Sequence, residues 1–144
     1  MHTSNFDKSL SYKQIADIGL DRSKTVHFVG MGGVSMYSLA MLTSDRGARV
    51  QGSDREDSTR LFNLRLAGAE AFVGHIAENV GGADLVVYSQ AISPDNPELT
   101  EAKKLGIPIL SRAEYLGALM LGYKSRIGIS GSHGKSSTTA MLDL

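Results

Sequence analysis

Two glycine-rich loops carry the residues best suited to chemistry. The first runs Gly30, Met31, Gly32, Gly33, Val34, Ser35 and follows a β-branched, aromatic run, Thr25 to Val29. Gly30 permits a tight turn, and Gly32 with Gly33 leaves room for a phosphate against the backbone N–H groups of a helix N-terminus. Ser35 stands where a dinucleotide fingerprint has its third Gly or Ala, and Asp54 closes the next β-rich run, where such folds place a ribose-binding carboxylate. The plain alternative is a tight strand-to-helix turn with a solvated Asp54. The second loop is Gly131, Ser132, His133, Gly134, Lys135, Ser136, Ser137. Its Gly-Lys-Ser core is the ending of a phosphate loop, in which Lys135 reaches the β- and γ-phosphates and the Ser136 hydroxyl ligates Mg²⁺. Ile129 stands where the usual form has its first Gly, so the loop is a shortened variant. A dehydrogenase needs the first loop alone and a simple NTPase the second alone, so the pair is more informative than either.

Positioning these loops requires alternating strands and helices. Strands are predicted at Thr25–Val29, Arg49–Gln51, Ala71–Val73, Asp84–Tyr88, Ile107–Leu110 and Arg126–Ser130. Helices are predicted at Val34–Arg46, Ser58–Ala67 and Pro97–Leu105, with Gly47, Gly68 and Gly106 as stops. Another begins at a capping box, Ser111 with Glu114, and its inner face is read as Ala113, Leu116, Leu119 and Met120. A short helix is also expected over Ser11–Leu20. Pro108 has no N–H to donate and places its strand at an edge. This alternation predicts an α/β fold, a Rossmann-like, largely parallel sheet with helices on both faces. The expected divisions are a polar lead-in over 1–24 and the Rossmann-like domain over 25–125.

Composition narrows the partners. The 144 residues hold 15 basic and 15 acidic side chains, so there is no positive excess to serve a nucleic acid. With no Cys there is no thiolate metal site, thiol nucleophile or disulfide. No apolar run reaches the roughly 18–20 residues of a membrane span, and Met1 to Asp7 lacks the order of a signal peptide. A cytoplasmic location is expected.

The sequence resembles the Mur ligases, ATP-dependent amide-forming enzymes of peptidoglycan synthesis. The resemblance rests on His27 to Gly33, Gly52 to Asp54, Gly74-His75 with Glu78 to Val80, Ala83-Asp84, Ser89 to Glu98, Gly106 to Pro108, Arg112 to Glu114 and Gly131 to Ser136, in order over about residues 25–144. Ser132, Ser136 and Ser137 stand where Thr is usual, and each keeps a hydroxyl. The resemblance implies a three-domain enzyme whose first domain holds the UDP part of UDP-N-acetylmuramate and whose second binds ATP and Mg²⁺, so residues 126–144 are expected to be the truncated start of a P-loop ATP-binding domain. ATP phosphorylates the muramyl carboxylate to an acyl phosphate, which an amine then attacks. The Ser89-to-Glu98 run favours the branch that adds L-alanine; the branch that recycles murein tripeptide is the nearest alternative.

On this reading the UDP-sugar site comprises Gly30, Met31, Gly32, Gly33, Ser35, Met36, Asp54, His75, Ser89, Gln90 and Ala91. Asp54 is placed near the ribose and His75 against uracil or ribose; an ordinary loop histidine is the competing view of His75. ATP falls to Gly131, Ser132, His133, Gly134, Lys135, Ser136 and Ser137, with Lys135 catalytic and Ser136 the metal ligand. His27, inside a strand, is read as packed core. The expectation for residues 1–144 by themselves is UDP binding without catalysis. Rival readings are an NAD(P)-dependent oxidoreductase domain, which leaves the second loop without a use, and a non-catalytic nucleotide-sensing module.

Overall fold

The computed structural model describes residues 23–127, with side chains described through residue 120. The expected Ser11–Leu20 helix and the whole second glycine loop lie outside the described residues. The elements follow one another as β1 (Thr25–Val29), α1 (Val34–Asp45), β2 (Arg49–Asp54), α2 (Thr59–Leu66), β3 (Glu70–Val73), a 3₁₀ turn (Ala77–Val80), β4 (Leu85–Tyr88), α3 (Pro97–Leu105), β5 (Ile109–Ser111) and α4 (Arg112–Ile127). The five strands form one sheet in the order β3-β2-β1-β4-β5, and every pairing is parallel. The order reverses between β1 and β4, which puts the switch point of the sheet where Gly30 leaves β1. As Pro108 required, β5 is an edge strand, and it begins one residue beyond the proline.

Strand alternation divides the interior into two layers of different chemistry. Val26, Phe28, Val50, Leu85, Val87 and Leu110 point to one face, where Met36, Leu39, Leu61, Leu64, Tyr115 and Leu119 from α1, α2 and α4 complete an apolar core. The opposite face carries Val29, Val86 and Ile109 under Leu99 and Ala102 of α3. Toward β2 that face turns polar, because His27, Gln51 and Ser53 occupy the alternate positions of β1 and β2, and all three are buried. The 3₁₀ turn covers them.

Local signals account for the helix ends. Ser58 accepts from the Leu61 amide and starts α2. Asn96 accepts from the Glu98 amide, Pro97 opens α3, and Gly106 closes it at φ 75°. Ser111 and Glu114 form the reciprocal capping box, Ser111 N–H donating to Glu114 and Glu114 N–H to Ser111.

Two expectations for the last helix are corrected. Its buried stripe is Tyr115, Ala118 and Leu119, while Ala113 is exposed and Leu116 and Met120 are half-buried. The Tyr115 ring meets Phe28 edge-on at 5.9 Å, and its hydroxyl donates to Thr43 Oγ1 at 2.8 Å, whose own proton goes to Leu39 O. A buried tyrosine with a partner for its hydroxyl behaves as core, which an aliphatic count overlooks. Burial pushes the Tyr115 phenol well above its usual range. Tyr115→Phe is expected to cost about 1 kcal/mol in urea unfolding, since one buried hydrogen bond is lost with little change of volume. The second correction concerns Arg126 and Ile127, predicted to begin a strand; they belong to the end of α4. Helix propagation from the capping box carries through Ser125, which no Gly or Pro between Gly122 and Ile127 interrupts.

Candidate functional site

The first glycine loop sits at the carboxyl ends of the parallel strands, as that reading required. Gly30 adopts φ 89°, which an L side chain resists, and its N–H and that of Met31 both donate to Ser53 O, at 2.8 and 3.0 Å. Gly33 is the N-cap of α1 and offers no side chain, and the first turn of α1 holds no acidic residue. The leading N–H groups of α1 are therefore left without a side-chain cap, the arrangement an anionic ligand uses.

Several predicted residues are brought together here. Asp54 Oδ2 accepts from Gly32 N–H at 2.8 Å and Oδ1 from Arg55 N–H at 2.7 Å. A Cβ on Gly32 would stand 2.6 Å from Asp54 Oδ2, so this glycine is fitted to the carboxylate. Across the switch point, a Cβ on Gly30 would stand 3.0 Å from Ser89 Oγ and 3.3 Å from Ile92 Cδ1. The loop after β4 thus packs against the loop after β1. Gln90, Ala91 and Ser35 are exposed at this end of the sheet. Gly74 N–H donates to Asp54 O at 2.7 Å and ties the β3 exit, with His75 behind it, to the same corner.

Met31 and Met36 take a different place. Both side chains are fully buried in the apolar core, so neither thioether lines the cleft. They flank the loop in sequence, but each points inward beneath it; Met31 Sδ would lie 2.7 Å from a Cβ on Gly52.

Behind the cleft lies a cluster the motifs do not reveal. Glu98, at the second position of α3, is fully buried and accepts four hydrogen bonds. Oε1 takes His27 Nε2–H at 2.6 Å and Ser53 Oγ–H at 2.7 Å. Oε2 takes Asn79 Nδ2–H at 2.8 Å and Ile76 N–H at 3.2 Å. Gln51 Nε2 donates to His27 Nδ1 at 2.9 Å and to Asn79 O at 2.8 Å. Burial alone would raise the Glu98 carboxyl, but the hydrogen bonds from His27, Asn79 and Ser53 outweigh it and hold the group below its ordinary value. His27 is buried, as expected, yet it is a polar partner and not an apolar filler. The sequence signal was present in the alternation His27, Gln51, Ser53, three polar residues on one face of neighbouring strands.

Among the described residues no group of three or more His, Asp or Glu side chains is arranged to hold a metal ion, and no helix is long and apolar enough to cross a membrane.

Comparison with known proteins shows the family of the chain. A sequence model described as "Mur ligase family, catalytic domain" matches residues 25–124. The chain belongs to the Mur ligase family. Among curated relatives of this Mur ligase chain, the UDP-N-acetylmuramate–L-alanine ligase of Clostridium beijerinckii is 49% identical over 122 residues, 85% of this chain and 27% of that protein. The enzyme of the same name from Clostridium acetobutylicum is 48% identical over 126 residues, 88% of this chain and 28% of its own length. This chain therefore spans little more than a quarter of the curated relatives it matches. Among solved structures, the UDP-N-acetylmuramate–alanine ligase of Thermotoga maritima superposes with a TM-score of 0.62 at 38% identity, over 64% of this chain and 21% of that one. A murein peptide ligase from Psychrobacter arcticus gives 0.61 at 27% identity, over 65% and 20%.

Proposed function

We propose that this chain provides the UDP-sugar-binding part of an ATP-dependent ligase that joins L-alanine to UDP-N-acetylmuramate in peptidoglycan synthesis. The observation that carries the reading is the 48–49% identity to proteins bearing that activity's name, over residues that include the cleft. The identity to the murein peptide ligase structure is lower, 27%.

The geometry supports specific roles. The diphosphate lies on the Gly30–Ser35 loop, where uncapped N–H groups and the positive end of α1 meet it. Met31 and Met36 contribute through the backbone alone. Asp54 trades its hydrogen bond from Gly32 for one accepted from a ribose hydroxyl, and Ser89, Gln90 and Ala91 close the cleft from the β4 side. ATP and Mg²⁺ fall to the loop Gly131 to Ser137, with Lys135 neutralising charge on the transferred phosphoryl group and Ser136 on the metal. That assignment stands on sequence, as those residues lie outside the described ones. A cytoplasmic location is part of this proposal.

The test is a titration of the ¹⁵N-labelled chain with UDP-N-acetylmuramate, NADH and ATP in separate experiments. The UDP-sugar is expected to shift the amides of Gly30 to Ser35, Asp54 and Ser89 to Ala91. Saturable NADH binding with no response to the UDP-sugar would overturn the proposal. Gly32→Ala, whose methyl group displaces Asp54 and fills the space above the loop, is expected to weaken UDP-sugar binding by roughly ten- to a hundredfold, the worth of a charge-assisted hydrogen bond.

A further inference from the structure

His75 and Glu98 are linked through a single hydroxyl, and the link determines which nitrogen of His75 is left for a ligand. Ser53 Oγ has one proton. It lies 2.7 Å from Glu98 Oε1, and an ionised carboxylate oxygen can only accept, so the proton goes there. The same Oγ lies 2.9 Å from His75 Nδ1 and must accept from it. His75 therefore carries its proton on Nδ1, an orientation reinforced by Glu98 Oε2 at 3.5 Å from the same nitrogen. His27 is fixed the other way. Gln51 spends one amide proton on Asn79 O and the other on His27 Nδ1, so His27 donates to Glu98 from Nε2. One carboxylate thus holds two histidines in opposite tautomers.

The consequence falls on Nε2 of His75. Among the described residues it has no partner, while the side chain keeps 13% of its surface open at the carboxyl end of the sheet, beside the Asp54–Gly74 corner. In the Nδ1–H tautomer this nitrogen carries no proton and is an acceptor.

We propose that Glu98 is a positioning residue for the cleft: through Ser53 it fixes His75 as the Nδ1–H tautomer, so that Nε2 accepts from an N–H or O–H of the bound ligand, such as a nucleobase imide or a ribose hydroxyl. The ligand half of this inference rests on the nucleotide-sugar reading of the site; the tautomer half does not. Glu98 touches no ligand. Its four hydrogen bonds bind the start of α3, the β2 end and the β3 exit into one unit, and the donor preference of the cleft is set from behind.

The experiment reads the tautomers directly. The chain has four histidines, so ¹⁵N-histidine labelling gives four imidazole patterns in a long-range ¹H–¹⁵N correlation spectrum. His27 is expected as the Nε2–H form and His75 as the Nδ1–H form. Ser53→Ala should release His75 to a mixture of forms while His27 keeps its pattern, a change that loss of packing alone does not produce. Glu98→Gln should disturb both histidines; if that variant fails to fold, Ser53→Ala carries the test by itself. With UDP as the probe, wild-type His75 Nε2 should move on saturation, and Ser53→Ala should bind UDP about five- to tenfold more weakly, the worth of one misoriented hydrogen bond. A wild-type His75 protonated on Nε2, or a His75 pattern unchanged by Ser53→Ala, overturns the relay. If UDP shifts the glycine-loop amides while His75 stays still and His75→Ala binds equally well, the ligand half falls and the proposed function stands. If UDP moves none of these amides, the proposed function falls and takes the ligand half with it, while the tautomer patterns still decide the relay.

Discussion

Gly52→Ala is expected to destabilise the fold by about 3 kcal/mol or more, the upper end of overpacking in a filled core. A Cβ built there stands 2.4 Å from the Phe28 carbonyl oxygen and 2.7 Å from Met31 Sδ. The thioether can swing aside, but the carbonyl cannot, because Phe28 is the register partner of Gly52 in the β1–β2 ladder. Relief requires parting the two strands at the point where Ser53 O holds the Gly30 and Met31 amides. Stability and the first glycine loop should therefore fail together. Urea unfolding should show a lowered midpoint, and amide spectra of the folded fraction should show the loop displaced. An unfolding free energy within about 0.5 kcal/mol of wild type, the range of a surface substitution, would mean that β1 and β2 separate more easily than this packing allows. The position needs no positive φ; it needs room, and glycine alone provides it.

That glycine illustrates which parts of the structure could be read in advance. The helix-forming and turn-forming signals are local, so α1, α2 and α3 and their Gly stops follow from spacing and caps, and the β5 edge follows from one proline. The parallel direction of the strands follows from strand–helix alternation, but their order, with its reversal between β1 and β4, does not, because right-handed crossovers allow more than one order. The glycine loop was legible because glycine has a steric meaning at each position, as with Gly30 and its φ of 89°. What resisted reading depends on contacts between distant residues. Glu98 looks like a favourable charge in the first turn of α3, and nothing within ten residues of it indicates burial against His27, 71 positions away. Tyr115 does not stand out from its aliphatic neighbours in the sequence, because its hydroxyl partner, Thr43, lies 72 positions off. Met31 and Met36 flank the loop in sequence, and only the sheet beneath shows that their side chains turn away from it. Phe62 and Leu66, at helical spacing in α2, remain exposed, while Leu61 and Leu64 on the same helix are buried.

Glu98→Ala is expected to cost about 3–5 kcal/mol, the range for removing one member of a buried, hydrogen-bonded charge cluster. Most of that cost is left behind by the carboxylate: His27 Nε2–H, Ser53 Oγ–H, Asn79 Nδ2–H and Ile76 N–H all lose their acceptor inside the protein. Acid should act on the wild type through the same group. The folded-state value of Glu98 lies below its ordinary 4.5, so the unfolded chain takes up the proton first as pH falls. The stabilisation is fully present above that value and is lost as pH drops through the lower folded one. The difference in unfolding free energy between wild type and Glu98→Ala should therefore be largest near neutrality and shrink below about pH 4 to 5. Paired urea titrations at pH 7 and pH 4 measure it, and a difference that stays constant would place the acid-sensitive carboxylate elsewhere. The polar layer under β1 and β2 stands where other parts of the sheet use Val and Leu, so its stability depends on one charge that four donors must share. A substitution that silences the charge removes the β3 exit and the start of α3 from their common anchor at once.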